Sequence, residues 1–446
     1  MRAILSQMAR IFLFFTAMKY LPLIAIIALA PTLTLAQDST NVKKGWKFGG
    51  ALPAIAYNTD NGFRYGVLGN VYDYGDGSDY PNYRKSIYLE WSRTTKGSGK
   101  NNIIYEDHHF LGTDMHLTAD FNYATEKSID FYGFNGYESY YNSAIEDQDS
   151  PEYISRAYYR IGRKMWRLVA NLQGKTSVPH LRWLAGFMFC DIDVSAPDIE
   201  KLNKGKSGKD LLPKATPENN LYLNYVANGH ISADEADGGT VTVLKGGIIY
   251  DSRDVLICPS RGFWNELYIN VAPSFLGSGD TYTTLSASIR EYFPIVDDRL
   301  ILTYRLVYNT LIGGKAPYYI LPFYSDTKFI YDGIGGVKTV RGVKRDRIQG
   351  DGYAFGNFEA RWKFVKTKIR NQDLYLALSA FYDTGLVTRK YETSAPKYKD
   401  ESLHNALGAG FRIALNNNFV VSVDYGACLD KLDGDSGLYI DIGWLW

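Results

Sequence analysis

The last ten residues, Gly437 to Trp446, constrain the fold more than any other stretch. Leu438, Ile440, Ile442, Trp444 and Trp446 share one parity, while Tyr439, Asp441, Gly443 and Leu445 share the other. Alternate side chains of a strand point to opposite faces, so this pattern predicts a strand with one wide apolar face that ends on an aromatic. The closing strand of a membrane β-barrel needs such a face, because its outer side meets lipid. The last strand of a soluble sheet is the alternative.

The N-terminus places the chain outside the cytoplasm. Arg2, Arg10 and Lys19 punctuate an apolar segment, Leu21 to Leu29 forms its core, and Thr34-Leu35-Ala36 supplies a small-x-small cleavage site. This predicts a signal peptide over residues 1–36, cut after Ala36, with Met18 as an alternative start. Gln37 rather than Cys follows the cut, which speaks against a lipoprotein anchor. No later run approaches the ~18 consecutive apolar residues of a transmembrane helix, so the mature chain is either exported and soluble or a barrel. An aromatic content of 15%, dominated by 36 Tyr, and 42 Gly favour the barrel, with rings at both interfaces and glycines at turns and bends. A net charge of +1 from 49 basic and 48 acidic residues gives no signal for nucleic acid. Cys190, Cys258 and Cys428 are odd in number and widely spaced, which predicts free thiols rather than disulfides or a zinc site.

After a short periplasmic segment, 37–45, sixteen alternating runs can be marked from Trp46 to the end, which makes 46–446 an all-β, 16-stranded antiparallel transmembrane barrel. Leu374, Leu376, Leu378, Ala380 and Tyr382 are expected toward lipid, and Asp373, Tyr375, Ser379 and Asp383 toward the lumen. Leu407, Phe411, Ile413 and Leu415 repeat the outward pattern against inward Gly408, Gly410 and Arg412. Phe419, Val421, Val423 and Tyr425 do so against Ser422 and Asp424. With the first strand starting at the periplasmic side, the long polar segments 126–155, 194–239 and 312–351 fall outside. A short helix is expected near Ala196 to Leu202.

Within the third long segment runs Asp332-Gly333-Ile334-Gly335-Gly336-Val337-Lys338-Thr339-Val340-Arg341-Gly342-Val343. Around it stand Phe131-Tyr132-Gly133-Phe134-Asn135-Gly136, Tyr250-Asp251-Ser252-Arg253-Asp254 with Pro259-Ser260-Arg261-Gly262-Phe263, Gly356-Asn357-Phe358-Glu359-Ala360-Arg361, and Phe381-Tyr382-Asp383-Thr384-Gly385-Leu386-Val387. Together, and in this order, they resemble the barrel of the BamA/TamA superfamily, the bacterial surface antigen family of the outer membrane. The resemblance implies that Val340-Arg341-Gly342 is the tip of a long outer loop folded back into the lumen, with Val343 where the family carries an aromatic. It also implies a periplasmic turn built on Asp251, Arg253, Asp254, Arg261 and Gly262. The implied activity is assembly or translocation of other proteins in the outer membrane, with client barrels and partner proteins and without a cofactor. Recruiting members carry periplasmic POTRA domains, whereas only Gln37 to Gly45 are expected between the cleavage site and the first strand here, so either recruitment comes from a partner or the activity differs.

Elementary chemistry gives two of these features a role. Glu359 and Asp383 fall on the lumenal parity of adjacent strands, where a guanidinium descending from the loop, Arg341, can pair with both. Such a lock either serves substrate handling or only plugs and stiffens the barrel. The first strand carries Gly49, Gly50 and Pro53, and Pro is tolerated in sheets only at edges or bulges. Its junction with the last strand, bearing Gly443 and Trp446, is therefore expected to be weak. The family would use it as a lateral gate; a closed barrel with an imperfect joint is the alternative.

Other motifs point to no chemistry. His108-His109 is expected within a strand, where neighbours face opposite ways and cannot share a metal. Asp430, Asp433 and Asp435 lack the spacing and terminal Glu of a calcium loop and are expected in a solvated outer turn. Gly333, Gly335 and Gly336 do not lead from a strand into a helix, and no nucleophile elbow is recognisable, so an enzyme is the least expected class. Arg290, Arg305, Arg361, Arg412, Asp424 and Asp441 are expected to solvate a watery lumen. Besides assembly, two functions stay open: a passive or gated pore, and a docking subunit that uses segment 194–239.

Overall fold

The computed structural model describes residues 42–446 except 59–61, 79, 81, 256–257, 328–329, 370–371 and 416–418. The signal peptide, its cleavage site and residues 37–41 lie outside the described residues, as do the side chains of Phe419 and Ile442.

Sixteen antiparallel strands close on themselves. They are β1 (Trp46–Pro53 continued by Ala56–Asn58), β2 (Gly62–Asp73), β3 (Lys85–Thr94), β4 (Ser98–Asp107), β5 (His116–Asp130), β6 (Arg160–Lys175), β7 (Leu181–Ser195) and β8 (Gly238–Asp251). The second half comprises β9 (Gly262–Ala272), β10 (Tyr282–Val296), β11 (Leu300–Gly314), β12 (Gly352–Ile369), β13 (Gln372–Arg389), β14 (His404–Leu415), β15 (Phe419–Cys428) and β16 (Ser436–Ile442). Each strand pairs with its sequence neighbours, and β16 returns to β1, so among the described residues no long edge is left unpaired except at that junction. No helix among the described residues is long and apolar enough to cross a membrane.

Period-two patterning explains the two faces. Leu89, Trp91, Ile103, Trp166, Leu267, Ile269, Leu302, Leu306, Phe358 and Trp362 all stand exposed on the outer wall. A water-soluble domain would not display so large an apolar belt. The opposite parity is buried: Tyr375, Ala377, Ser379, Phe381 and Asp383 alternate inward along β13. The long connections 131–159, 196–237 and 315–351 cluster at one end of the barrel, and short turns such as 176–180 and 297–299 close the other. Segment 196–237 holds helix α1 (Ile199–Asn203), close to its expected place, and α2 (Leu221–Ala227), which was not expected. The Asn220 side chain caps α2 by accepting from the Leu223 amide at 3.1 Å.

Three expectations need correction. His108 and His109 follow β4 in its turn rather than lying within it, and His108 stacks on His116 with ring centres 4.3 Å apart. Asp433 is not solvated: it is fully buried, accepts from the Tyr137 hydroxyl at 2.6 Å and lies 2.5 Å from His404 Nδ1. Arg290, Arg305, Arg361 and Arg412 face inward but do not meet a wide watery lumen, since none is more than 2% exposed. Chain returning from the loop and the C-terminus occupies that space.

A closed sixteen-stranded ring resists detergent until heated. The purified protein is expected to run faster on a denaturing gel unboiled than boiled; identical migration would contradict the closed barrel.

Candidate functional site

The loop 315–351 touches the wall on nearly every side. Thr327 donates to Glu266 of β9, Arg290 of β10 reaches Asp326 at 2.5 Å, and Arg305 of β11 donates to the Lys338 carbonyl at 2.7 Å. Arg345 bonds Glu126 of β5 at 3.2 Å, and Lys338 pairs with Asp441 of β16 at 2.6 Å. One segment can meet so many strands of a ring only from inside it. A small hairpin, Phe323–Ser325 against Ile330–Asp332, stiffens its descent, and Ile334, Val340, Val343 and Ile348 pack with Tyr353, Phe355 and Val387 of the wall. Val343 is fully buried and accepts from the Gly336 amide at 2.8 Å, so the tip closes on itself without an aromatic at this position.

Arg341 occupies the centre. Its Nε and Nη2 donate to the two oxygens of Asp383 at 2.8 and 3.1 Å, a bidentate pair, and its backbone amide adds a third bond at 3.0 Å. Nη1 lies 3.5 Å from both Glu359 and Asp424, and the guanidinium sits 3.4 Å from the Phe381 ring centre. Glu359 is in turn bound by Arg361 at 2.9 Å, and Asp424 by Arg412 at 2.7 and 2.9 Å. Three arginines therefore meet three carboxylates with no net charge, which is how buried ions are tolerated. Gly342, at φ +101°, presses its backbone against β15: a Cβ there would come 2.8 Å from the Gly426 carbonyl carbon. The Gly342 amide donates to the Tyr439 hydroxyl at 3.0 Å. Gly426 was not singled out in the sequence, and Asp424, Tyr439 and Phe381 were named there without this role. A glycine on lumenal parity opposite the loop motif was the one signal available.

The chain end joins the same network. β16 stops at Ile442, and Gly443, at φ +96°, lets the chain leave the wall. Trp444, Leu445 and Trp446 are all buried, which corrects the reading of Trp444 and Trp446 as lipid-facing residues of a gate strand. Trp444 donates to the Tyr375 hydroxyl at 3.2 Å, and the guanidinium groups of Arg361 and Arg412 stand 4.4 and 4.7 Å from its ring centre. Trp446 receives Arg361 and Arg305 at 4.9 and 5.0 Å and packs with Tyr292 and Ile301. Desolvated cation–π contacts of this kind are worth about 2 kcal/mol each, and they draw the aromatic tail inward against the parity of its strand.

Among the described residues the junction of β16 with β1 is short. Tyr439 faces Asn58 and Ile440 faces Tyr57, and among the described residues no other pair is in register there. By contrast β12 and β13 pair along their whole length, from Gly352–Arg389 to Ile369–Gln372. Gly49, Gly50 and Pro53 are not opposite the last strand. Among the described residues Gly50 and Pro53 pair with β2, facing Asn70 and Val67, while Gly49 is the bulged residue between Phe48 and Gly50 and leaves room for the Tyr72 ring. Once the tail has turned inward, this half of β1 has no ladder partner on its other edge among the described residues.

The turn 252–261 lies at the short-turn end. Arg253 grips Asp251 with two bonds of 2.8 and 2.6 Å and covers the Trp264 ring at 4.1 Å. Burial would raise the Asp254 carboxyl, but the Ser260 hydroxyl and the amides of Ser260, Arg261 and Val255 outweigh it and hold the group below its ordinary value. Arg261 reaches Asp297 at 2.8 Å on the surface, a contact of little energetic weight. Gly262, at φ +101°, has no room for a Cβ beside the Ser252 carbonyl. From the same turn, Cys258 packs under Trp444, so the turn supports the tail.

Arg341→Ala leaves Asp383 buried without its cation and is expected to destabilise the barrel by about 3–5 kcal/mol, read as a lower denaturant midpoint or a lower temperature for loss of the fast gel form. Gly426→Val should unseat the loop with no change of charge, exposing the Arg345 region to protease. Trp444→Ala removes a buried indole and should cost about 3 kcal/mol or more by the same unfolding measurement.

The Omp85 superfamily domain matches residues 85–444. No characterised protein matches the sequence closely enough to count as a relative. Among solved structures, BamA from Haemophilus ducreyi lacking POTRA domains 1–3 superposes with a TM-score of 0.53 at 14% identity over 90% of this chain and 70% of its own. CdiB from Escherichia coli gives 0.53 at 9% identity over 88% of this chain, which spans 63% of CdiB, under two-thirds of its length. At such identities the two structures establish the barrel fold alone. The family match, extending from β3 to the buried tail, carries more: this chain is an outer-membrane β-barrel that belongs to the Omp85 superfamily.

Proposed function

We propose that this barrel assists insertion or translocation of other proteins at the outer membrane, without covalent catalysis, and that a partner supplies periplasmic recruitment. The observation that carries this reading is the β1–β16 junction. Among the described residues only two register pairs join β16 to β1, and the Trp46–Pro53 half of β1 has no ladder partner on the edge away from β2, which leaves backbone groups open at the membrane wall. An incoming strand satisfies such groups by adding to the edge. Meanwhile the loop and tail hold the β9–β16 half of the wall rigid, so that opening at the junction need not unravel the barrel. Depleting the protein in its native cell and quantifying outer-membrane proteins by mass spectrometry tests the reading. Loss of a class of barrels or surface proteins before general envelope stress supports it, and unchanged levels contradict it. Cross-linking Tyr57→Cys to Ile440→Cys should produce the same losses, reversed by reductant.

A gated pore is the second reading, favoured by a cavity of about 830 Å³ that opens at the short-turn end between His116, Arg182, Asp251 and Asp326. Large channels from Arg341→Ala in planar bilayers, with normal delivery of other barrels, would favour the pore over assembly.

A further inference from the structure

Behind the β1–β16 junction the lumen is not filled. A cavity of about 280 Å³ lies between loop residues such as Tyr331 and the inner faces of β2 to β6, and Ala56, Ile440 and Asp441 of the junction border it. Its lining is cationic: Arg64, Lys100, Arg167, Lys338 and Arg345 stand against Glu126 and Asp441. Four of these cations already have carboxylates. Arg64 and Lys100 lie 3.8 and 3.0 Å from Glu90, Lys338 lies 2.6 Å from Asp441, and Arg345 lies 3.2 Å from Glu126.

Arg167 of β6 is different. It is only 8% exposed, its Nε has no acceptor, and among the described residues no carboxylate pairs with it. Opposite it in register stand Asn122 on β5 and Cys190 on β7, neither of which carries a compensating charge. The other deeply buried guanidinium groups are answered: Arg290 by Asp326, Arg341 by Asp383, Arg361 by Glu359, Arg412 by Asp424, and Arg305 by Asn357, the Tyr331 hydroxyl and the Lys338 carbonyl. A buried ion without a partner is disfavoured unless something else compensates it.

We infer that Arg167 anchors a site for a phosphate-type oxyanion in this cavity. A planar guanidinium fork matches two phosphate oxygens, Lys100 adds a mobile point charge, and the hydroxyls of Thr94 and Ser98 line the same space. Two sources share this chemistry. A free anion reaches the site along the lumen, whereas a lipid headgroup enters through the junction, because Ala56 and Ile440 border both.

The test uses the full barrel folded in uncharged detergent and titrated calorimetrically with inorganic pyrophosphate and, separately, with dihexanoyl phosphatidic acid. Wild type should bind at least one probe at millimolar concentration or below. Arg167→Gln should weaken binding at least tenfold, Arg167→Lys should retain part of it, and Lys175→Gln, outside the cavity, should leave it unchanged. Tighter binding of the lipid identifies a headgroup, and equal or weaker binding identifies a free anion. A wild-type protein with the fast gel form that binds neither probe overturns the site, as does unaltered binding by Arg167→Gln. Should that variant fail to fold, Lys100→Gln must weaken binding at least threefold, and an unchanged affinity overturns the proposal equally.

Discussion

The neutral cluster of Arg341, Arg361 and Arg412 with Glu359, Asp383 and Asp424 is the interaction on which the rest of the lumen depends. The loop, three consecutive wall strands and β15 all contribute to it, and the chain end is stacked on its cations. Six charges in a dry interior persist only because each has a counter-ion at hydrogen-bond range, so the cluster forms as a unit or not at all. Seating the loop, curling the tail and stiffening β12 to β15 are therefore one event.

That event also bears on the junction between β16 and β1. The tail's three apolar side chains are buried beside the cluster instead of extending β16 along β1. Aromatic stacking on arginines inside is gained, and ladder hydrogen bonds at the wall are given up. Among the described residues, the unpartnered edge of Trp46–Pro53 thus goes with the inward turn of the tail at Gly443 rather than with poor strand residues in β1. Gly49 and Gly50, which looked like the weak elements, serve a bulge and the Tyr72 ring on the other side of the strand.

Much of the fold was legible because lipid imposes a simple rule on every strand: apolar outward at period two. β13 obeys it from Leu374 to Tyr382, and the sixteen-strand count follows from such runs. The same rule misled at the very end, since Trp444 and Trp446 keep the parity of Leu438 and Ile440 although a positive φ at Gly443 has already taken the chain off the wall. Periodicity cannot register a backbone turn that leaves the alternation intact. Asp433 failed for another reason. Its local sequence reads as a polar turn, while its partners, Tyr137 and His404, are 296 and 29 residues away. Arg341, Glu359 and Asp383 could be paired from motif and parity, but Gly426 could not, because its role is to be absent where Gly342 must pass.

Hydrogen exchange of the folded barrel in lipid, followed by mass spectrometry, tests most directly whether the lumenal network leaves the β1–β16 junction as the weakest ladder. Amides of Ala56–Asn58 and Tyr439–Ile442 are expected to exchange much faster than those at the centre of β12 and β13, while the buried loop around Arg341 stays protected. Equal protection of the junction and of β12–β13, or rapid exchange of the Arg341 loop, would contradict the account.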